Sequence, residues 1–131
     1  MQFVLAILRM NGGYVMQLRD NKPDIPEPGM WGLFGGKIES GETPLIALVR
    51  EIQEELCLVL ENFELLFQMR HYNNFWKQEV VYFVYSADIT QFWGTHHLCE
   101  GQAVDYFEYS QLPHLPIPSV IREILDRSRT N

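Results

Sequence analysis

The chain is short of basic residues: 10 Lys and Arg stand against 17 Asp and Glu, a formal net charge of −7. Proteins that grip a phosphate backbone carry a basic face, so this balance excludes a binder of long nucleic acid. It suits a protein that concentrates cations. Cysteine is also scarce. With only 2 in 131 residues, Cys57 and Cys99, no disulfide scaffold is needed in a chain long enough to bury a real core. Both are expected to be reduced thiols of a cytoplasmic protein. No long apolar run is present. The N-terminal "FVLAILRM" has no basic flank and is too short for a signal h-region with its flanks or for a membrane span, so it reads as a buried strand. Repeats, low-complexity tracts and linkers are missing too, and a single domain over 1–131 is expected.

What is present is a succession of strand and helix signals. Phe3–Arg9 and Tyr14–Arg19 flank "MNGG", where Asn-Gly tolerates the positive φ of a tight hairpin. Three prolines make 20–30 an irregular loop, and Trp31–Phe34 reads as a strand running into Gly35-Gly36. Thr43-Pro44 is an N-cap followed by a proline at N1, opening a helix to about Leu56. Strand patterns over Leu58–Tyr72 and Trp76–Asp88 meet at "NN". A loop over 89–103, a strand at "AVDYFEY" and a last helix over Pro118–Arg129 follow, the helix carrying Val120, Ile121, Ile124 and Leu125 on one face. This alternation predicts an α/β fold, a sandwich with a mixed β-sheet.

The helix over 43–56 carries the chemistry. On a helical wheel Leu45, Val49, Ile52 and Leu56 form a stripe that can face a sheet, while Glu51, Glu54 and Glu55 share a face roughly 130° away. Three carboxylates on one turn repel each other. A divalent cation converts that repulsion into coordination, and oxygen-only ligands select Mg²⁺, Mn²⁺ or Ca²⁺ over zinc. A solvated acidic face is the alternative that Glu-x-x-Glu-Glu alone does not exclude.

The surroundings decide between them. Gly36, five residues, Glu42, seven residues and then "REIQEELCL" from Arg50 to Leu58 resemble the Nudix box, G-x5-E-x7-R-E-U-x-E-E-x-G-U with U a bulky aliphatic. Only the second glycine departs, replaced by Cys57. The lead-in "MWGLFGG" is similar to the family's W-x-L-P-G-G, with Phe34 in place of proline. The resemblance implies a Nudix-type α/β/α sandwich, closest in size to the MutT-like members. It also implies Mg²⁺-dependent hydrolysis of a nucleoside diphosphate linked to another group, with Mn²⁺ able to substitute. Carried over by position, Glu51, Glu54 and Glu55 bind metal, Glu51 is also a candidate base, and the Gly35 carbonyl completes the shell. Arg50 pairs with Glu42, in a role either structural or catalytic. Lys37 reaches the pyrophosphate, or is a plain loop lysine. "CEGQAVDYF" at 99–107 resembles the E-G-Q segment of MutT-like enzymes, which makes Glu100 a candidate ligand or base.

Other residues carry less. His96-His97 lacks a third nitrogen ligand, and His71 and His114 give no signal. Arg19 and Arg70 are arginines that can contact phosphate, of which Arg19 is the candidate substrate residue. Trp31, Phe75, Trp76 and Trp93 suit packing, although one of Phe75, Trp76 or Trp93 can stack on a base. Cys57 stands where the family's glycine ends the helix in a left-handed conformation, at a strain of about 1 kcal/mol or more. Members that recognise oxidised guanine use an asparagine near the last helix, and none occurs between Asn74 and Asn131. The expected partner is a small nucleotide, such as a (d)NTP or nucleotide sugar, with no membrane contact; a homodimer stays open. Two competitors remain. One is a non-catalytic Nudix-fold binding module, for which decayed boxes are expected. The other is a prenyl-diphosphate isomerase, which needs a cysteine–glutamate pair not evident here.

Overall fold

The computed structural model describes residues 1–93 and 103–129. Among them, seven strands form one mixed sheet: β1 (Gln2–Met10), β2 (Gly13–Leu18), β3 (Trp31–Gly32), β4 (Phe34–Lys37), β5 (Glu64–Asn73), β6 (Gln78–Asp88) and β7 (Ala103–Phe107). Two α-helices flank it, α1 (Pro44–Leu56) and α2 (Ser119–Ser128). β1 is the central strand, parallel to β6 and antiparallel to β2 and β4.

Side chains alternate across a strand, so β1 builds both cores. Val4, Ala6 and Leu8 pack with Ala47, Leu48, Ile52 and Leu56 of α1. Leu5 and Ile7 face the other way, toward Val120, Ile121, Ile124 and Leu125 of α2. The α/β/α sandwich follows from that alternation.

Several elements form for the reasons legible in the chain. Asn11 and Gly12 take φ of 50° and 80°, the positive-φ pair of a tight hairpin, with Met10 opposite Gly13. The Thr43 hydroxyl accepts from Ile46 N at 3.2 Å and Pro44 opens α1. Other expectations need correcting. Trp31–Phe34 is not one strand: it breaks at Leu33, so that β3 pairs with β2 and β4 with β1. The strand expected from Leu58 starts only at Glu64, because Leu58 and Leu60 are buried against the α1 face as irregular backbone. The turn after β5 is longer than Asn-Asn, spanning 74–77, and the Asn73 side chain closes it by accepting from the N–H groups of Phe75 and Trp76.

Cys57 ends α1 at φ 55°, ψ 34°, and its N–H donates to Gln53 O at 2.9 Å. The left-handed cap expected of the family's glycine is therefore kept by a residue with a Cβ. The expectation of a reduced thiol is corrected: Cys57, exposed at the helix end, is disulfide-bonded. Cys99, His96, His97 and Glu100 lie outside the described residues. These facts set two opposed terms for Cys57→Gly. Under reductant the glycine is expected to stabilise the fold by about 0.5–1 kcal/mol, by relieving the left-handed strain. Without reductant, loss of a cross-link worth about 2–4 kcal/mol reverses the sign. Urea denaturation of both proteins, with and without reductant, reads the crossing directly.

Candidate active site

The site lies where β4 leaves β1 and meets α1. Gly35 and Gly36 are paired with Leu5 and Val4 of β1, and both are glycines by necessity. Gly35 has φ +135°, and a Cβ there would collide with the Val4 carbonyl. At Gly36 a Cβ would come within 2.6 Å of the Glu51 carboxyl carbon. The bare backbone of β4 is what lets a helix carboxylate lie flat against the strand.

The three helix carboxylates do not share one exposed face, as the wheel implied. Leu48, with Ala47 beside it, anchors the buried stripe together with Ile52 and Leu56, while Leu45 is 45% exposed. The buried arc is thereby rotated about 60° toward the glutamates. Glu55 falls inside it at 5% exposure. A carboxylate tolerates that burial only if its oxygens are bonded. Glu55 Oε1 accepts from Gly35 N at 2.8 Å, and Oε2 accepts from the Gln17 amide at 2.6 Å. Gln17 also donates to Leu33 O at 3.2 Å, so β2, β3, β4 and α1 are tied at one point. Glu51 lies between this buried pole and the exposed Glu54.

Arg50 organises the outer half. Its Nε and Nη2 donate to the two Glu42 oxygens at 2.7 and 2.9 Å, a bidentate pair that clamps the 38–43 loop to α1. Nη1 donates to Glu51 at 2.9 Å and to Glu54 at 3.3 Å, and Nη2 also donates to Lys37 O at 3.2 Å. The single positive charge thus offsets part of the repulsion among Glu42, Glu51 and Glu54 while it braces the loop. Among the described residues no three carboxylate, His or Cys side chains close into a metal-sized cluster. Lys37 extends exposed from the end of β4, opposite Phe3. Arg19 lies apart, at the start of the 19–30 loop, with Nε donating to Pro26 O at 3.1 Å.

A NUDIX domain model matches residues 2–127. The chain belongs to the NUDIX family. Two curated bacterial relatives align over shorter stretches. CTP pyrophosphohydrolase of Escherichia coli (strain K12) is 38% identical over 55 residues, covering 42% of this chain and 39% of that protein. Nucleoside triphosphatase NudI of Enterobacter sp. (strain 638) is 43% identical over 58 residues, 44% of this chain and 40% of that protein. The matches thus span about two fifths of these relatives. A solved MutT NUDIX hydrolase from Burkholderia pseudomallei superposes with a TM-score of 0.81 at 29% identity, over 95% of each chain.

In this NUDIX protein the pairing of Arg50 with Glu42 gives a pH signature. Hydrogen bonds from Arg50, and then from the Glu39 backbone, lower the Glu42 pKa from 4.5 to about 2. A depressed carboxyl contributes stability that is complete above the unfolded pKa and is lost as pH falls through the folded one. Glu42→Gln should therefore be less stable than wild type at pH 6, and the gap should close between pH 4.5 and about 2. Paired urea titrations across that range test the sign.

One residue of this NUDIX site escaped the sequence reading. Gln17 lies in "YVMQL", a polar side chain at an inward position of an otherwise apolar strand, and that interruption was the available signal. Its bond to Glu55 explains why the strand carries it.

Proposed function

We propose that this chain is a divalent-cation-dependent pyrophosphohydrolase that cleaves a phosphoanhydride in a free nucleoside diphosphate derivative, a (d)NTP or a nucleotide sugar, by attack of water. The observation that carries the reading is the Glu51 carboxylate lying against the bare backbone of Gly36, beside Glu55 and Glu54. All the available donors are oxygens, which fits a hard cation such as Mg²⁺, with Mn²⁺ able to substitute. Glu51, Glu54, Glu55 and the Gly35 carbonyl would hold it. Such a cation supplies charge neutralisation on the phosphates and a lowered pKa for water.

The chain's own groups do the rest. Gly35 and Gly36 keep the strand narrow enough for a polyphosphate to approach. Glu55, locked by Gly35 N and Gln17, holds its oxygens in fixed directions. Arg50 keeps Glu51 and Glu54 from repelling each other apart. Glu51 accepts the proton of the attacking water, a role for which Glu100 is the other candidate. Lys37 meets the phosphates, and Arg19 contacts the nucleotide farther from the reacting bond. The excess of acidic residues, 17 against 10, disfavours a long polyanion as substrate. No helix among the described residues is long and apolar enough to cross a membrane. Cytoplasmic placement is part of the same proposal.

The decisive experiment scores kcat/KM over dNTPs, oxidised dNTPs, nucleotide sugars, dinucleoside polyphosphates and capped RNA, with and without Mg²⁺ or Mn²⁺. A free nucleotide should rank first, with turnover absent without metal. Capped RNA ranking first overturns the substrate class. No turnover at any metal concentration replaces the enzyme with a nucleotide-binding module.

A further inference from the structure

A small cleft of about 80 Å³, open to solvent at its mouth, lies on the α2 side of the sheet. Two of its wall residues, Phe3 and Leu5, are the register partners of Lys37 and Gly35, so the cleft and the glycine strand are two sides of one ladder. Leu33, Val120 and Ile121 complete an apolar slot, and Trp76 stands at its rim, 39% exposed. A flat heterocycle entering this slot meets carbon on both faces.

The polar side chains that line the cleft are Arg19, Glu27, Asn73 and Tyr82, with the Trp76 indole at the rim. Asn73 is oriented by the backbone N–H groups of Phe75 and Trp76, which both donate to its carbonyl oxygen, so its amide NH₂ turns toward the Tyr82 hydroxyl. Tyr82 is only 5% exposed, and burial raises its pKa, so it stays a neutral hydroxyl. Glu27 lines the same cleft from the proline-rich loop, with a φ of +55° that a glutamate adopts only under constraint. Among the described residues its carboxylate has no hydrogen-bond or ion-pair partner; only the longer-range charges of Arg19 and His71 oppose its burial. A half-buried acceptor of this kind has unmet capacity for N–H donors.

We infer that Glu27 is a specificity-determining residue that selects nucleotides whose base carries an exocyclic amino group over their deaminated counterparts. The proposal rests on the pyrophosphohydrolase reading for its substrate class. An amino group donates N–H to the carboxylate, as at cytosine N4, adenine N6 or guanine N2. Deamination puts a carbonyl oxygen in that place, and two sets of lone pairs then face each other in a desolvated slot. Trp76 contributes stacking that is indifferent to this exchange.

The test uses three matched pairs, CTP and UTP, ATP and ITP, GTP and XTP. It reads both kcat/KM and the Kd of the α,β-methylene analogues, followed by tryptophan fluorescence. Wild type should favour the amino member of its preferred pair by about tenfold or more in both readouts. Glu27→Gln, nearly isosteric and able to turn its NH₂ toward a carbonyl, should bring that ratio to unity or invert it. Trp76→Ala should weaken both members alike and leave the ratio unchanged. Equal affinity within every wild-type pair, or a ratio untouched by Glu27→Gln, overturns the inference. Discrimination in Kd without turnover of any nucleotide leaves Glu27 in its role and overturns the hydrolase reading instead.

Discussion

Glu54→Gln is expected to lower turnover by roughly 10²–10³-fold, the scale of losing one fixed electrostatic contributor to a phosphoryl-type transition state. The fold should hardly notice. Glu54 is exposed, and its ion pair with Arg50 at 3.3 Å runs in the weaker i,i+4 order, worth a few tenths of a kcal/mol at most. Neutralising it also removes the repulsion from Glu51. The melting temperature should therefore stay level or rise slightly. Glu55→Ala should behave in the opposite way. It strands the Gly35 N–H and the Gln17 amide, two donors with little access to water, at a cost of about 2–4 kcal/mol. Glu55→Gln falls between: its carbonyl can serve Gly35, but its NH₂ then faces the Gln17 NH₂. Gln17 cannot flip without giving up Leu33 O. Melting curves beside kcat/KM for the three variants would separate the two carboxylates. Equal activity in wild type and both glutamine variants at matched Mg²⁺ would sink the site assignment.

That contrast marks where the sequence was readable. Capping and periodicity place the box helix and its Thr43–Pro44 start, and the family resemblance implies the Arg50–Glu42 pairing; each rests on contacts within twenty residues of chain or on backbone preference. The left-handed end at residue 57 is where the family's glycine puts it, but the cysteine leaves a different helix end open in the sequence, and only the structure decides for φ 55°. What the sequence misjudges depends on partners far away. The larger residues Leu45 and Val49 suggest one face of α1, whereas the sheet receives Ala47, Leu48 and Ile52, and Glu55 follows them inward. Nothing local to α1 announces that Gln17, 38 residues earlier, will meet it. Likewise Trp31–Phe34 looks continuous, and only the competition of two pairing strands breaks it at Leu33. Glu27 gave no signal, since a carboxylate in a proline-rich loop is ordinary until the fold sets it over a cleft.

The two adjacent glycines should fail in different ways when given a methyl group. Gly35→Ala places its Cβ against the Val4 carbonyl, a backbone atom of the central strand, at a φ of +135° that side-chain-bearing residues avoid. Relief requires moving β4 away from β1 and breaking the Leu5 and Val4 register. A loss of about 3 kcal/mol or more is expected, with poor soluble yield. Gly36→Ala has ordinary backbone and meets only the end of a flexible side chain, the Glu51 carboxyl at 2.6 Å. Glu51 can swing aside at small cost to the fold, but then leaves the strand on which the proposed chemistry depends. The expected result is a protein within about 1 kcal/mol of wild type that has lost most of its turnover. If Gly36→Ala keeps full activity while folded, Glu51 does not act from its place against the strand, and the water-activating role passes to another carboxylate.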